Sequence, residues 1–184
     1  MDKVIFRGKA DPNGSYGLEL NKALEECAGK AVLVIEKGVY PTGPIAIPSH
    51  TRLVLEEGAE LSFIPDFSIY PPVETWWEGV PCWAMHPCFN IAHVEDVVVE
   101  GKGVLRGNGE KWWKYILHWK NTGRVAGPET KEELLFASLN KGYEDQPGGG
   151  GGRPKQFLRP PLLQIFDSKS VTIRGITVTE SPFW

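Results

Sequence analysis

One spacing recurs along this chain and limits its possible folds more than any other feature. Val97-x-Val99-x-Gly101-x-x-Val104 and Val171-x-Ile173-x-Gly175-x-x-Val178 share it, and Leu53-x-Leu55-x-x-Gly58-x-x-Leu61 repeats it with one residue inserted. A polar step precedes each copy: Ser49-His50-Thr51, Glu95-Asp96 and Ser168-Lys169-Ser170. Side chains alternate along a strand, so the two apolar positions before each Gly face one interior. The Gly then lets the backbone turn, and the next apolar residue points back inside. Units this short cannot cover an apolar face alone, and stacking covers it. The repeat therefore predicts a parallel β-helix with Val97, Val99, Val104, Val171, Ile173 and Val178 in a shared interior; a β-meander with similar turns is the competing arrangement.

The rest of the chain is organised around that repeat. Gly 21 and Pro 15 among 184 residues exceed the average share but stay below that of low-complexity chains, as a turn-rich β architecture requires. Short β-branched and aliphatic runs read as strands at 31–35, 45–47, 52–55, 97–99, 162–166 and 171–173. Leu18, Leu20, Ala23, Leu24 and Cys27 recur at helical spacing before Gly29, which predicts a short amphipathic helix capping the N-terminal end of the stack. Two insertions interrupt the repeat, at about 65–89 and 108–158. The first is rich in Pro and Trp. The second carries an apolar face of Trp112, Trp113, Ile116 and Leu117, then a capping box at Thr130-x-x-Glu133 ahead of Leu134, Leu135 and Leu139, then a five-glycine run at 148–152. Strand signals of the same repeat resume after it, so residues 1–184 read as a single, truncated β-helix domain.

Charge and motifs narrow the function. The net charge of −3 provides no field to gather phosphates or anionic lipid, so neither nucleic acid nor a membrane is expected as partner. Cys27, Cys82 and Cys88 are odd in number and match no zinc spacing, which reads as buried, reduced thiols in a cytoplasmic protein. Gly101-x-Gly103 with Gly107 lacks the third dinucleotide-binding Gly, since Arg106 stands there, and there is no phosphate loop; no cofactor is expected. His50, His86, His93 and His118 show no metal spacing, and no G-x-S-x-G elbow is present. What remains is Tyr70 to Val80, YPPVETWWEGV, where flat aromatic faces lie beside carboxylates. That combination suits sugars, whose C–H faces lie on rings while hydroxyls bond to carboxylates; tryptophans that merely clamp the insertion to the solenoid are the plainer alternative.

The N-terminal helix and the phrases GVYPTGPI, LVLEEGAELSF, YPPVETWWEG, VVVEGKGVLRGNGEKWW and RPPLLQIFDSKSVTIRGITVTESPFW, in that order, resemble the N-terminal half of family 28 glycoside hydrolases, the polygalacturonase-like enzymes, and in particular bacterial exo-acting members. The resemblance implies an all-β, right-handed parallel β-helix and hydrolysis of pectin-type polysaccharides or oligosaccharides with inversion. It places the catalytic aspartates in N-x-D-G and G-D-D phrases, which do not occur within 1–184. Inverting hydrolysis needs an acid and a base about 6.5–9.5 Å apart, and no such pair is offered by these residues. The chain is therefore expected to supply architecture and part of a substrate cleft with no catalytic residue of its own, either as a piece of a longer enzyme or as a degenerate relative. Trp77, Glu78, His86, Arg159 and Trp184 are the candidate substrate-binding residues. A non-catalytic glycan-binding β-helix and a pectate-lyase-like enzyme are the competing functions.

Overall fold

The structure, a computed structural model, describes residues 1–77, 79–121, 130–142 and 159–183. Its strands form three parallel sheets that the chain visits in turn. The first holds β1 (Asp2–Ile5), β2 (Ala31–Ile35), β5 (Arg52–Leu55), β10 (Glu95–Gly101) and β13 (Lys169–Arg174), side by side in that order. The second holds β3 (Gly38–Thr42), β6 (Ala59–Phe63), β11 (Val104–Arg106) and β14 (Thr177–Thr179). The third holds β4 (Ile45–Ala46), β9 (Phe89–Ala92) and β12 (Leu163–Phe166). The coils β2-β3-β4, β5-β6-β9 and β10-β11-β12 thus stack with every ladder parallel, and β13-β14 begins the next. A meander would have given antiparallel ladders. The fold is a parallel β-helix.

The interior is built from the inward half of each strand. Leu33, Leu53 and Val99 pair in register along the first sheet, and Phe89 follows Ile45 along the third; all are buried. Val97 is buried as expected, and Val171 and Ile173 lie beside Val97 and Val99 on the next coil, packed against the core. Two details of the repeat differ from the sequence reading. Leu105 rather than Val104 fills the second-sheet position, pairing with Leu61 on one side and Val178 on the other. The cause is the corner: the turn after Gly175 is one residue shorter than the turn after Gly101, so aligning the two copies at their glycines misplaces the strand that follows. Val178 is 45% exposed, since β14 has a strand partner on one side only. The third copy is also shifted by a full pleat, because Leu53 stacks on Val99 and Leu55 on Gly101.

Helix α1 (Gly17–Cys27) buries Leu20, Leu24 and Cys27 and lies against β2 and β4 of the first coil. Leu18 is outside this face, at 76% exposure, because it precedes the i, i+4, i+7 stripe of Leu20, Leu24 and Cys27. Asn21 ties the helix to the edge of the third sheet: its side-chain amide donates to the Pro44 and Gly17 carbonyls and its oxygen accepts the Ala46 N–H. That N–H belongs to an edge strand and would otherwise lack a protein partner.

Both insertions leave the coil at one corner, between the second and third sheets. The first contains a 3-10 turn, Phe67–Ile69, and an antiparallel hairpin of β7 (Pro72–Trp77) and β8 (Val80–Met85). The second contains α2 (Glu110–Asn121) and α3 (Lys131–Leu139). The capping box of Thr130 and Glu133 forms as the sequence predicts. The apolar faces differ: Trp112 and Ile116 are buried while Trp113 and Leu117 are exposed, and on α3 Phe136 is buried instead of Leu134, Leu135 and Leu139. Neighbouring residues on a helix point about 100° apart, so one member of each of the Trp112–Trp113 and Ile116–Leu117 pairs turns outward. Cys27, Cys82 and Cys88 are all buried and unbridged. No helix among the described residues is long and apolar enough to cross a membrane.

Candidate functional site

Three excursions meet at the corner between the second and third sheets: the two insertions and the segment Glu180–Phe183 that leaves β14. Backbone bonds bring them together, with Gly107 donating to Thr179 O at 3.0 Å and Gly109 to Glu180 O at 2.9 Å. Asn108, held at φ 48, turns the chain out of β11, and its amide donates to Ser62 Oγ and to the Phe63 carbonyl on the coil below. The Trp113 indole N–H donates to Ser181 O at 2.9 Å. Phe67 meets Trp112 edge-on at 4.5 Å and Tyr115 at 5.1 Å, so aromatic packing joins the first insertion to the second.

Trp77, near the hairpin tip, is stacked on Phe183 with ring centroids 4.3 Å apart and planes 4° from parallel. The Arg159 guanidinium lies 4.3 Å from the Phe183 centroid and 5.9 Å from that of Trp77, within cation–π range of both. Trp77 is 2% exposed, so its part in any wall is to hold Phe183 and Arg159 in place. The structure therefore brings two of the sequence candidates, Trp77 and Arg159, together. Phe183 is the member that sequence reasoning missed, although it adjoins Trp184 in S-P-F-W. Glu78 and Trp184 lie outside the described residues.

His86 sits at the other end of the hairpin. Pro72 to Trp77 is five strand steps, about 16 Å, and His86 directly follows Met85, the partner of Pro72. Its N–H donates to Pro71 O at 2.9 Å and its ring Nδ1 lies 2.7 Å from Pro87 O. A carbonyl only accepts, so Nδ1 carries the proton and Nε2 is left as an acceptor. Burial holds the imidazole below its ordinary pKa, with the Pro87 hydrogen bond opposing that shift. His86 thus supports the base of the hairpin and is not in contact with Trp77.

The histidines and carboxylates at the coil corners bind one another across coils. His50 and His93 occupy left-handed corners, at φ 62 and 57, and their Nδ1 atoms approach Asp96 and Asp167 of the next coil at 3.3 and 3.0 Å. Arg52 binds Asp96 at 2.7 Å, and its hydrogen bond, ahead of that from His50, holds the Asp96 carboxyl below the usual range. Cys88 is fully buried, and burial pushes its thiol up. Among the described residues no three His, Cys, Asp or Glu side chains gather to hold a metal ion.

The class that fold and corner define is a parallel β-helix whose elaborations converge on one edge. Solved structures of that class match the whole chain. The hyperthermoactive exopolygalacturonase of Thermotoga maritima superposes with a TM-score of 0.72 and 24% identity over 99% of this chain and 42% of its own. The family 28 exopolygalacturonase of Yersinia enterocolitica gives 0.65 and 18% over 99% of this chain and 35% of its own. The polygalacturonase of Erwinia carotovora gives 0.62 and 17% over 98% of this chain and 42% of its own. The structural resemblance to family 28 exopolygalacturonases is thus shown, and the chain spans less than half the length of these three proteins. No protein-family model matches the sequence, and no curated protein matches it either.

Proposed function

We propose that the protein acts on pectin-type polysaccharides or oligosaccharides as a polygalacturonase-like, inverting glycosidase. These 184 residues furnish the scaffold and one wall of the cleft. The observation that carries the reading is the continuous match, over 99% of the chain, to exopolygalacturonases of two bacteria. The wall is the corner cluster: Arg159, oriented by Phe183 and Trp77, presents a fixed cation of the kind that pairs with a uronate carboxylate. Glu78 and Trp184 remain proposed substrate-binding residues with them, and His86 stiffens the base of the hairpin that carries Trp77. A catalytic acid and base each contribute about 10²–10⁴-fold, and this reading assigns neither to a residue within 1–184.

Reducing-sugar release from polygalacturonate tests this. The 184-residue chain is expected to release none above background, and a protein extended by coils carrying a carboxylate pair is expected to release it with inversion. Hydrolysis by the 184 residues that disappears on mutating Glu74, Glu78 or Asp167 would overturn the assignment of the chemistry to residues outside this chain.

A further inference from the structure

Alternation along β7 sends the two adjacent tryptophans to opposite faces of the hairpin: Trp77 is packed on Phe183, whereas Trp76 is 50% exposed. On the Trp76 side lies a cleft of about 760 Å³, within the range of small-ligand sites. Trp83 of β8, Phe166 at the end of β12, and Asn140 and Lys141 after α3 line it together with Glu74. The Trp76 and Phe166 rings are 6.4 Å apart.

Both walls are fixed before any ligand arrives. The Thr75 hydroxyl donates to Gln164 at 3.0 Å, and the Gln164 amide donates to Asn90 at 3.1 Å, which fastens the hairpin to the outer side of the third sheet. Asn140 accepts the Trp83 N–H at 2.8 Å and donates to Trp83 O and Phe136 O, each at 2.8 Å. The end of α3 therefore pairs with β8 as a further strand would.

Three of the groups that line the cleft keep their own bonding capacity. Among the described residues neither Glu74 nor Lys141 has an ion-pair partner, and the Trp76 indole N–H makes no hydrogen bond. An exposed indole face receives the C–H face of a pyranose, a carboxylate accepts its hydroxyls, and an ammonium donates to them. One charge of each sign matches a hydroxyl-rich ring better than a phosphate or a polycation.

We propose that this cleft binds a hexopyranose unit of an oligosaccharide, as a second sugar site on the hairpin face opposite the Trp77–Phe183–Arg159 wall. The proposal rests on the reading of the protein as one that handles carbohydrate. It makes the tandem tryptophans a shared partition between two sites.

The test is titration of the full 184-residue chain with trigalacturonate and with β-1,4-galactotriose, read by tryptophan fluorescence and calorimetry. At least one sugar is expected to bind saturably. Trp76→Ala is expected to weaken that binding about tenfold or more, while Trp76→Phe retains most of it and Lys102→Ala, at an exposed position outside both sites, leaves it in place. Trp76 is half exposed, so these variants should keep the parent's melting temperature, which is checked alongside. Failure of both sugars to bind overturns the proposal, and so does wild-type affinity in Trp76→Ala. If binding survives Trp76→Ala and is lost in Arg159→Ala, this cleft is discarded while the carbohydrate reading of the corner stands.

Discussion

Gly175 sits against Gly101 of the coil before it, so closely that a Cβ on Gly175 would stand 2.4 Å from the Gly101 carbonyl oxygen. A Cβ on Gly101 would in turn stand 2.0 Å from the carbonyl oxygen of Leu55. Both residues have positive φ, 127° at Gly101 and 77° at Gly175. The corner between the first and second sheets is thus a column of backbone with no space for a side chain. Gly101→Ala should destabilise the chain by about 2 kcal/mol or more, because the obstacle is backbone and cannot swing aside. Gly43→Ala, whose new Cβ would meet only Ile69 at 3.5 Å, is the control and should shift the urea midpoint little. Equal midpoints for the two variants would contradict the close stacking.

Asn140 is buried and satisfies both backbone groups of Trp83. Asn140→Ala should cost about 2 kcal/mol, since it strips partners from a part-buried N–H and carbonyl. Hydrogen exchange at the Trp83 amide should accelerate selectively. Asn140→Asp, which keeps an acceptor and loses the donors, should protect the Trp83 amide while still lowering stability.

His86 gives a pH dependence with a defined sign. Its folded pKa lies below the ordinary 6.5, so between the two values the unfolded chain binds the extra proton. Stability is unaffected by this group above that window and falls as pH drops through about 6.5 towards the folded pKa. His86→Asn should flatten that portion of a stability-versus-pH curve. An unchanged slope in the variant would assign the acid sensitivity elsewhere.

Helix α1 should behave as the cap of the first coil. Leu24→Ala is expected to cost about 3 kcal/mol as a buried truncation, and Leu18→Ala under about 0.5 kcal/mol because Leu18 is exposed. Slow amide exchange through Leu20 to Cys27 would accompany capping; exchange as fast as in an exposed turn would rule it out.

The strands that carry the repeat were legible because apolar alternation and a corner glycine are both written in the sequence. Arg52–Leu55 and Ala31–Ile35 form with the bounds that their residues suggest. Strand β3 was not legible, since Gly38 and Pro41 weaken any strand signal; pairing with β6 overrides them. Nor were the corners at His50, His93 and Asp96 foreseeable. They take left-handed backbone without glycine, and their side-chain partners lie on neighbouring coils, absent from any local window. Of the corner cluster, Trp77 and Arg159 stand out as an aromatic and a cation in insertions. Their contact required a third excursion, with Phe183, that only the stacking of coils brings near.

Because both insertions depart from a single edge, the fold divides its labour between two kinds of sequence change. Residues on the other two edges are locked to the coils above and below, so drift there is punished through the core. The corner between β6 and β9, or between β11 and β12, accommodates a hairpin in one coil and two helices in the next while the flanking strands stay in register. Lineages carrying this scaffold are free to lengthen, shorten or exchange what hangs from that edge and so to acquire new recognition without refounding the solenoid.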